Sequence, residues 1–163
     1  MSATQYSQSN PPREAGWNTV FIIAGAGVVS AFQVGKAPMA LGTVQLDLGL
    51  SLVVVSWLIS AFAIVGAIVG APVGLAADRI DTKRMVVGGL ALQALGAGLG
   101  SASTGVELLM LSRVIEGLGF MAVFVAGPTM IFAIVDRRVQ HRAIAVWATV
   151  MPVGMTVVML AAP

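Results

Sequence analysis

The chain has no cysteine, one histidine and one tyrosine, and charged residues make up only 10% of its 163 positions. Without cysteine there is no disulfide, no thiolate metal site and no Cys nucleophile. The single histidine, His141, lies in the basic stretch Arg137-Arg138-Val-Gln-His141-Arg142, where a metal cluster has no other ligands to draw on. No Gly-x-x-x-x-Gly-Lys-Ser/Thr loop is present, which removes the phosphate cradle that ATP-driven transport requires. The aspartates fall in expected loops or interfaces, so no paired-acid centre for intramembrane proteolysis can form at depth. No catalytic residue, metal or cofactor is therefore expected. The formal charge of +2 gives no case for nucleic acid, because the basic residues are placed by membrane topology.

Apolar residues fill the space that charge leaves. They make 58% of the chain, and the mean hydropathy is +0.95. Soluble domains carry about 25% charged residues, so the lipid bilayer is the expected surrounding of this surface. A spanning helix needs about 20 mostly apolar residues. Five stretches qualify: Trp17–Met39, Leu52–Ala77, Met85–Ala102, Leu108–Val135 and Ala143–Ala162. Residues 1–16 are polar, contain Pro11-Pro12 and read as a disordered cytoplasmic tail. The fold class expected is an all-α, polytopic membrane bundle over 17–163. If the spans alternate, Arg13, Arg79, Lys83, Arg84, Arg137, Arg138 and Arg142 share one side. Lys36 alone lies near the other. That bias places the N-terminus and both basic loops in the cytoplasm, as in a multi-pass protein of a bacterial inner membrane. Trp17, Trp57 and Trp147 fall near span ends, where indole favours the interface.

Gly66, Gly70 and Gly74 recur every fourth residue, which makes a strip without side chains along one helix face. Such a strip admits a second helix closely inside a bilayer. The segment Gly74-Leu-Ala-Ala-Asp78-Arg79-Ile-Asp81-Thr-Lys83-Arg84 resembles the signature loop between the second and third helices of the major facilitator superfamily. Arg113-Val-Ile-Glu116-Gly117-Leu-Gly119 resembles that family's helix-four signature. Gln33-Val-Gly-Lys36 and Arg113 through Phe120 are similar to its cyanate-permease-like branch. The resemblance runs from about Lys36 to the end of the chain. It implies part of an N-terminal six-helix half of a secondary transporter of a small solute, working by alternating access. It also implies that Gly74, Asp78, Arg79, Lys83, Arg84 and Asp136 form a cytoplasmic gate, with Arg79 and Lys83 reaching Asp136. Asp81 stands where the family usually has glycine, and the Gly-Pro-x-x-Gly-Gly run of proton-coupled drug antiporters is missing from the fifth span.

Arg113 and Glu116 are the one charged pair inside a span, and their i, i+3 spacing lets them meet. Charge at depth is costly unless paired or hydrated. The pair is either neutralised near the outer interface or faces a central cavity as a coupling site. Ser30, Gln33 and Lys36 form a polar stripe on the first span. Lys36 either favours an anionic solute or snorkels to the interface. Pro38, Pro72, Pro128 and Pro152 should weaken their helices, with Gly127-Pro128 the expected bend. Five spans cannot enclose a cavity between two halves, so the expected partner is a missing C-terminal half or another membrane chain. A truncated protein without transport and a small oligomeric channel are the other two readings.

Overall fold

The computed structural model describes residues 16–77 and 79–161, with the backbone alone at Leu41. Six helices are described and no strand among these residues: α1 (Trp17–Asp47), α2 (Leu52–Ala77), α3 (Thr82–Ser101), α4 (Val106–Ile134), α5 (Arg137–Ala148) and α6 (Val150–Ala161). The expected tail, apart from Gly16, lies outside the described residues.

The sequence at each helix end sets its boundary. α1 runs eight residues past the expected span end because nothing between Pro38 and Asp47 stops it. Gly49 then takes φ +61°, and the Leu50 N–H donates to the Gln45 carbonyl at 3.0 Å. That bond across a left-handed glycine is the Schellman stop. Asp81 caps α3 by accepting from the Arg84 N–H at 3.0 Å, and Asp136 caps α5 by accepting from the Arg138 N–H at 2.8 Å. The stretch 136–142, expected as a loop, is therefore helical from Arg137. α4 passes through Pro128 unbroken, whereas the last span divides at Thr149. Pro152 explains the division: it has no N–H for the Ala148 carbonyl, and its ring crowds that oxygen.

Contacts fix the direction of each helix. Gly27, Ala31 and Gly35 of α1 meet Val150, Gly154 and Val158 of α6 in rising order, so those helices run parallel. Gly89, Gly96 and Gly100 of α3 meet Gly119, Glu116 and Ser112 of α4 in falling order, so that pair is antiparallel. Chain reversals at 48–51, 79–81, 102–105 and 135–136 complete an up-and-down bundle. Among the described residues, α1, α2, α4 and the α5–α6 segment are long and apolar enough to cross a membrane. α3, expected as the third span, is diluted by five glycines and Gln93, yet it makes the most extensive contact with α4.

Those glycines are the reason for the contact. A Cβ at Gly89 would lie 2.7 Å from the Gly119 carbonyl oxygen, and one at Gly96 would lie 2.6 Å from Glu116 Cγ. Backbones approach here because no side chain stands between them. By contrast, α2 exposes Leu52, Val53, Ile64, Ile68 and Leu75, the pattern of a lipid-facing helix.

The buried core joins Val20, Ile23 and Ala24 of α1 to Val123 and Ile131 of α4, and to Ala143, Trp147 and Val150. Trp147 is a correction to the interfacial assignment. Its indole is buried, stacks edge-on to Phe124 at 5.5 Å, and fills the notches left by Gly27 and Gly127. Trp17 and Trp57 are exposed. Trp147 lies mid-span because the last span begins at Arg137, six residues earlier than expected.

We predict that Gly89→Ala lowers thermal stability in detergent by about 1–3 kcal/mol, since α3 and α4 must separate. Gly88→Ala, whose new methyl meets nothing within 4 Å, should be neutral or stabilising by up to about 1 kcal/mol. Equal melting shifts for the two variants would contradict the close-approach account.

Candidate functional site

α1 carries Ser30, Gln33 and Lys36 one turn apart, on a face turned toward α3 and α4. Ser30 Oγ accepts from Gln93 Nε2 of α3 at 2.8 Å, and both residues are fully buried. The Gln33 main-chain carbonyl oxygen accepts from Arg113 Nη2 at 3.4 Å. Lys36 Nζ donates to Glu116 Oε1. Three levels of α1 are thus tied across the bundle interior, two through the side chains of Ser30 and Lys36 and one through the Gln33 backbone.

Glu116 is the centre of this arrangement. It is 1% exposed and takes two cations, Lys36 through Oε1 and Arg113 through Oε2, the latter 3.0 Å from Arg113 Nη2. Arg113 is itself 6% exposed and lies over the Phe62 ring of α2, 5.8 Å from its centroid. Its guanidinium therefore touches α1, α2 and α4 chemistry at one crossing. Glu116 is ten residues from the start of α4, roughly 15 Å along the helix, or about half the hydrocarbon thickness. Gly96 makes the room: any side chain there would occupy the Glu116 position.

The cluster borders a cavity of about 260 Å³ between α1, α3 and α4, lined by Lys36, Ala40, Ala97, Ser101, Ser112, Arg113 and Glu116 among others. The Lys36 side chain is 36% exposed, so it is the member that solvent or solute reaches. Two cations and one carboxylate give the wall a formal charge of +1. Gln33 Oε1, Gln93 Oε1, Arg113 Nε and Glu116 Oε2 are buried with no hydrogen-bond partner among the described residues, so Arg113 meets Glu116 Oε2 as an ion pair without an aligned hydrogen bond. The wall therefore keeps unused polar capacity, which a buried site retains at a cost unless something polar meets it.

The residues of the proposed gate are more dispersed. Arg79, Lys83 and Arg84 are exposed around the α2–α3 turn. Asp78 lies outside the described residues. Asp136 caps α5, and the ion pairs among the described residues are Lys36–Glu116 and Arg113–Glu116, so Arg79 and Lys83 are not brought to Asp136. Asp81 sits at φ −54°, which needs no glycine; its carboxylate is used as a helix cap instead. Gly66 faces Met121 of α4, while Gly70 and Gly74 have nothing within 4 Å of their missing side chains among the described residues. Gln93 and Gly96 belong to the site and were not foreseen in the sequence. A long polar side chain alone in an apolar helix is the signal that could have marked Gln93.

Apolar helices long enough to cross a membrane, packed around buried charge, define a multi-pass membrane protein as the general class. The model of the Major Facilitator Superfamily matches residues 23–163, and the chain belongs to that family. It is 35% identical over 109 residues to an uncharacterized MFS-type transporter, YwoD, of Bacillus subtilis (strain 168), covering 66% of this chain and 24% of that protein. It is 25% identical over 135 residues to the methylenomycin A resistance protein of the same organism, covering 82% and 29%. It is 31% identical over 94 residues to a multidrug resistance protein B homolog of Mycobacterium tuberculosis (strain H37Rv), covering 58% and 17%. The matches thus span less than a third of each relative's length. No solved structure matches the chain.

Glu116→Gln should be more destabilising than Lys36→Met. The first leaves two cations facing a neutral amide, a change of about 3–5 kcal/mol for a broken buried pair. The second leaves the Arg113–Glu116 pair intact. Thermal melts in detergent check the order, and a larger loss for Lys36→Met would contradict it.

Proposed function

We propose that this chain supplies part of the substrate-facing half of a secondary active transporter for a small anionic solute. The observation that carries the reading is the convergence of Lys36 and Arg113 on one buried carboxylate, with Lys36 opening onto the cavity. A net positive wall attracts an anion. The likeness of Gln33-Val-Gly-Lys36 to the cyanate-permease-like branch supports the same solute class.

In this reading, an arriving anion competes with Glu116 for Lys36, and Glu116, then held by Arg113 alone, is the group that exchanges a proton. Solute and proton would be coupled through the exchange of partners at one amine. The basic ends of the bundle face the cytoplasm of a bacterial cell. Gly74, Asp78, Arg79, Lys83, Arg84 and Asp136 act as the gate when the bundle rocks, and Arg79 and Lys83 then make the contacts to Asp136 that are absent among the described residues. A further set of membrane helices closes against Gly70 and Gly74, which stand open.

A second reading is export of an antibiotic, favoured by the resistance functions in the names of two relatives. The two are separated by one comparison in cells expressing the complete transporter. The anion reading predicts energised uptake of labelled cyanate or a similar small monovalent anion, and no change in sensitivity to methylenomycin A. It further predicts a flattened pH profile in Glu116→Gln, where Lys36 and Arg113 are the charged groups facing the changed side chain. Asp78→Asn should slow uptake with membrane insertion unchanged. Protection against the antibiotic without anion uptake would establish export instead.

A further inference from the structure

The basic end of the bundle holds charge that the transport reading does not use. α5 opens with Arg137, Arg138, His141 and Arg142, all exposed. They fall within its first six residues, and Arg138 and Arg142 stand one turn apart, about 5–6 Å between Cβ atoms. No acid follows them in the first turn. The adjacent acid, Asp136, has its carboxylate on the Arg138 N–H. None of these arginines makes an ion pair among the described residues. Clustered cations at a helix start are mutually repulsive and oppose the helix dipole, so an anion held between them would stabilise this end of α5.

The level of the patch says which anion. A groove of about 250 Å³ runs between α1 and α5, lined by Gly16, Trp17, Val20, Val135, Asp136, Val139 and Ala143. Trp17 is exposed and lies 6.1 Å from Phe21, an aromatic pair at the head of a spanning helix. Indoles in that position sit at headgroup level. Val139 and Ala143 line the groove, and Arg138 and Arg142 each precede one of them, on the flanking stripe of the same helix. A cationic rim therefore stands beside a groove lined by apolar side chains and Asp136, at the level that Trp17 marks for the interface.

We propose that this is a binding site for one anionic phospholipid. Arg138 and Arg142 hold the phosphate, and the groove between Trp17 and Val139 takes the glycerol and the start of an acyl chain. Arginine suits the task because its planar fork meets phosphate oxygens bidentately.

The test is native mass spectrometry of the purified protein, with palmitoyl-oleoyl phosphatidylglycerol and phosphatidylcholine offered in equal amounts. The site predicts preferential retention of one phosphatidylglycerol. Arg138→Gln with Arg142→Gln should lower that preference roughly twenty-five-fold, at about fivefold for each arginine. Arg79→Gln with Lys83→Gln, which removes the same charge from the α2–α3 turn, should leave most of it. Helix content by circular dichroism reports whether each variant is folded; if the glutamine pair is not, Val139→Trp, which fills the groove and keeps both arginines, must lower retention instead. Equal retention of the two lipids by the parent protein would overturn the proposal. So would equal losses from the two charge-removing pairs, which would mean diffuse attraction. Displacement of the lipid by millimolar inorganic phosphate would show a free-phosphate site and overturn the lipid assignment.

Discussion

A carboxylate buried inside a bundle of apolar helices constrains everything around it. An unpaired ion in low dielectric costs several kcal/mol even after the surroundings relax. Glu116 avoids that cost with two cations on two helices, its own α4 and the neighbouring α1. The pairing dictates that α1 cross α4 close to Lys36, that Arg113 precede Glu116 by three residues, and that α3 leave room beside it. The cavity, the polar face of α1 and the formal +1 of the wall all follow from satisfying one acid.

The same requirement explains the glycines of α3. Bilayer helices gain little from burying apolar surface against each other, so they must pack closely to associate. Gly89, Gly96 and Gly100 bring the α3 backbone against α4, and Gly96 lies where the Glu116 side chain needs volume. Trp147 solves the complementary problem farther along α4. Its ring fills the space left by Gly27 and Gly127 and ties α5 to α1 and α4. One region closes by subtraction of side chains and the other by a large ring in a notch. Between them, Gln93 and Ser30 join α3 to α1 by a buried hydrogen bond that neither helix could forgo without stranding a polar group.

Much of this was legible in the residues because hydropathy alone restricts a membrane chain to helices. The apolar runs placed α2 and α4 within two residues of their ends. The i, i+3 spacing of Arg113 and Glu116 announced their contact. Lys36 was ambiguous, since 80 positions separate it from Glu116 and only the parallel or antiparallel course of the helices decides who meets it. Loop lengths were overestimated at 40–51 and 136–142 because each fall in hydropathy was read as a connection between spans, whereas the Schellman stop at Gly49 and the cap at Asp136 let helix occupy most of both stretches. Trp147 was assigned to an interface on its place in an apolar run whose start was misjudged by two turns. The glycine strip of α2 was conspicuous in sequence, yet the closest packing uses the less regular glycines of α3, whose role depends on what stands opposite.

The central claim is that Lys36 and Glu116 act as one unit in transport, joined by the contact that a solute must break. A double-mutant cycle on the initial rate of anion uptake tests it most directly, using Lys36→Gln, Glu116→Gln and the combination in the complete transporter at matched membrane levels. A coupled pair predicts that the double variant is no slower than the slower single one, because the second change removes a partner already lost. Losses that multiply in the double variant would show that the two side chains act independently and would contradict the account.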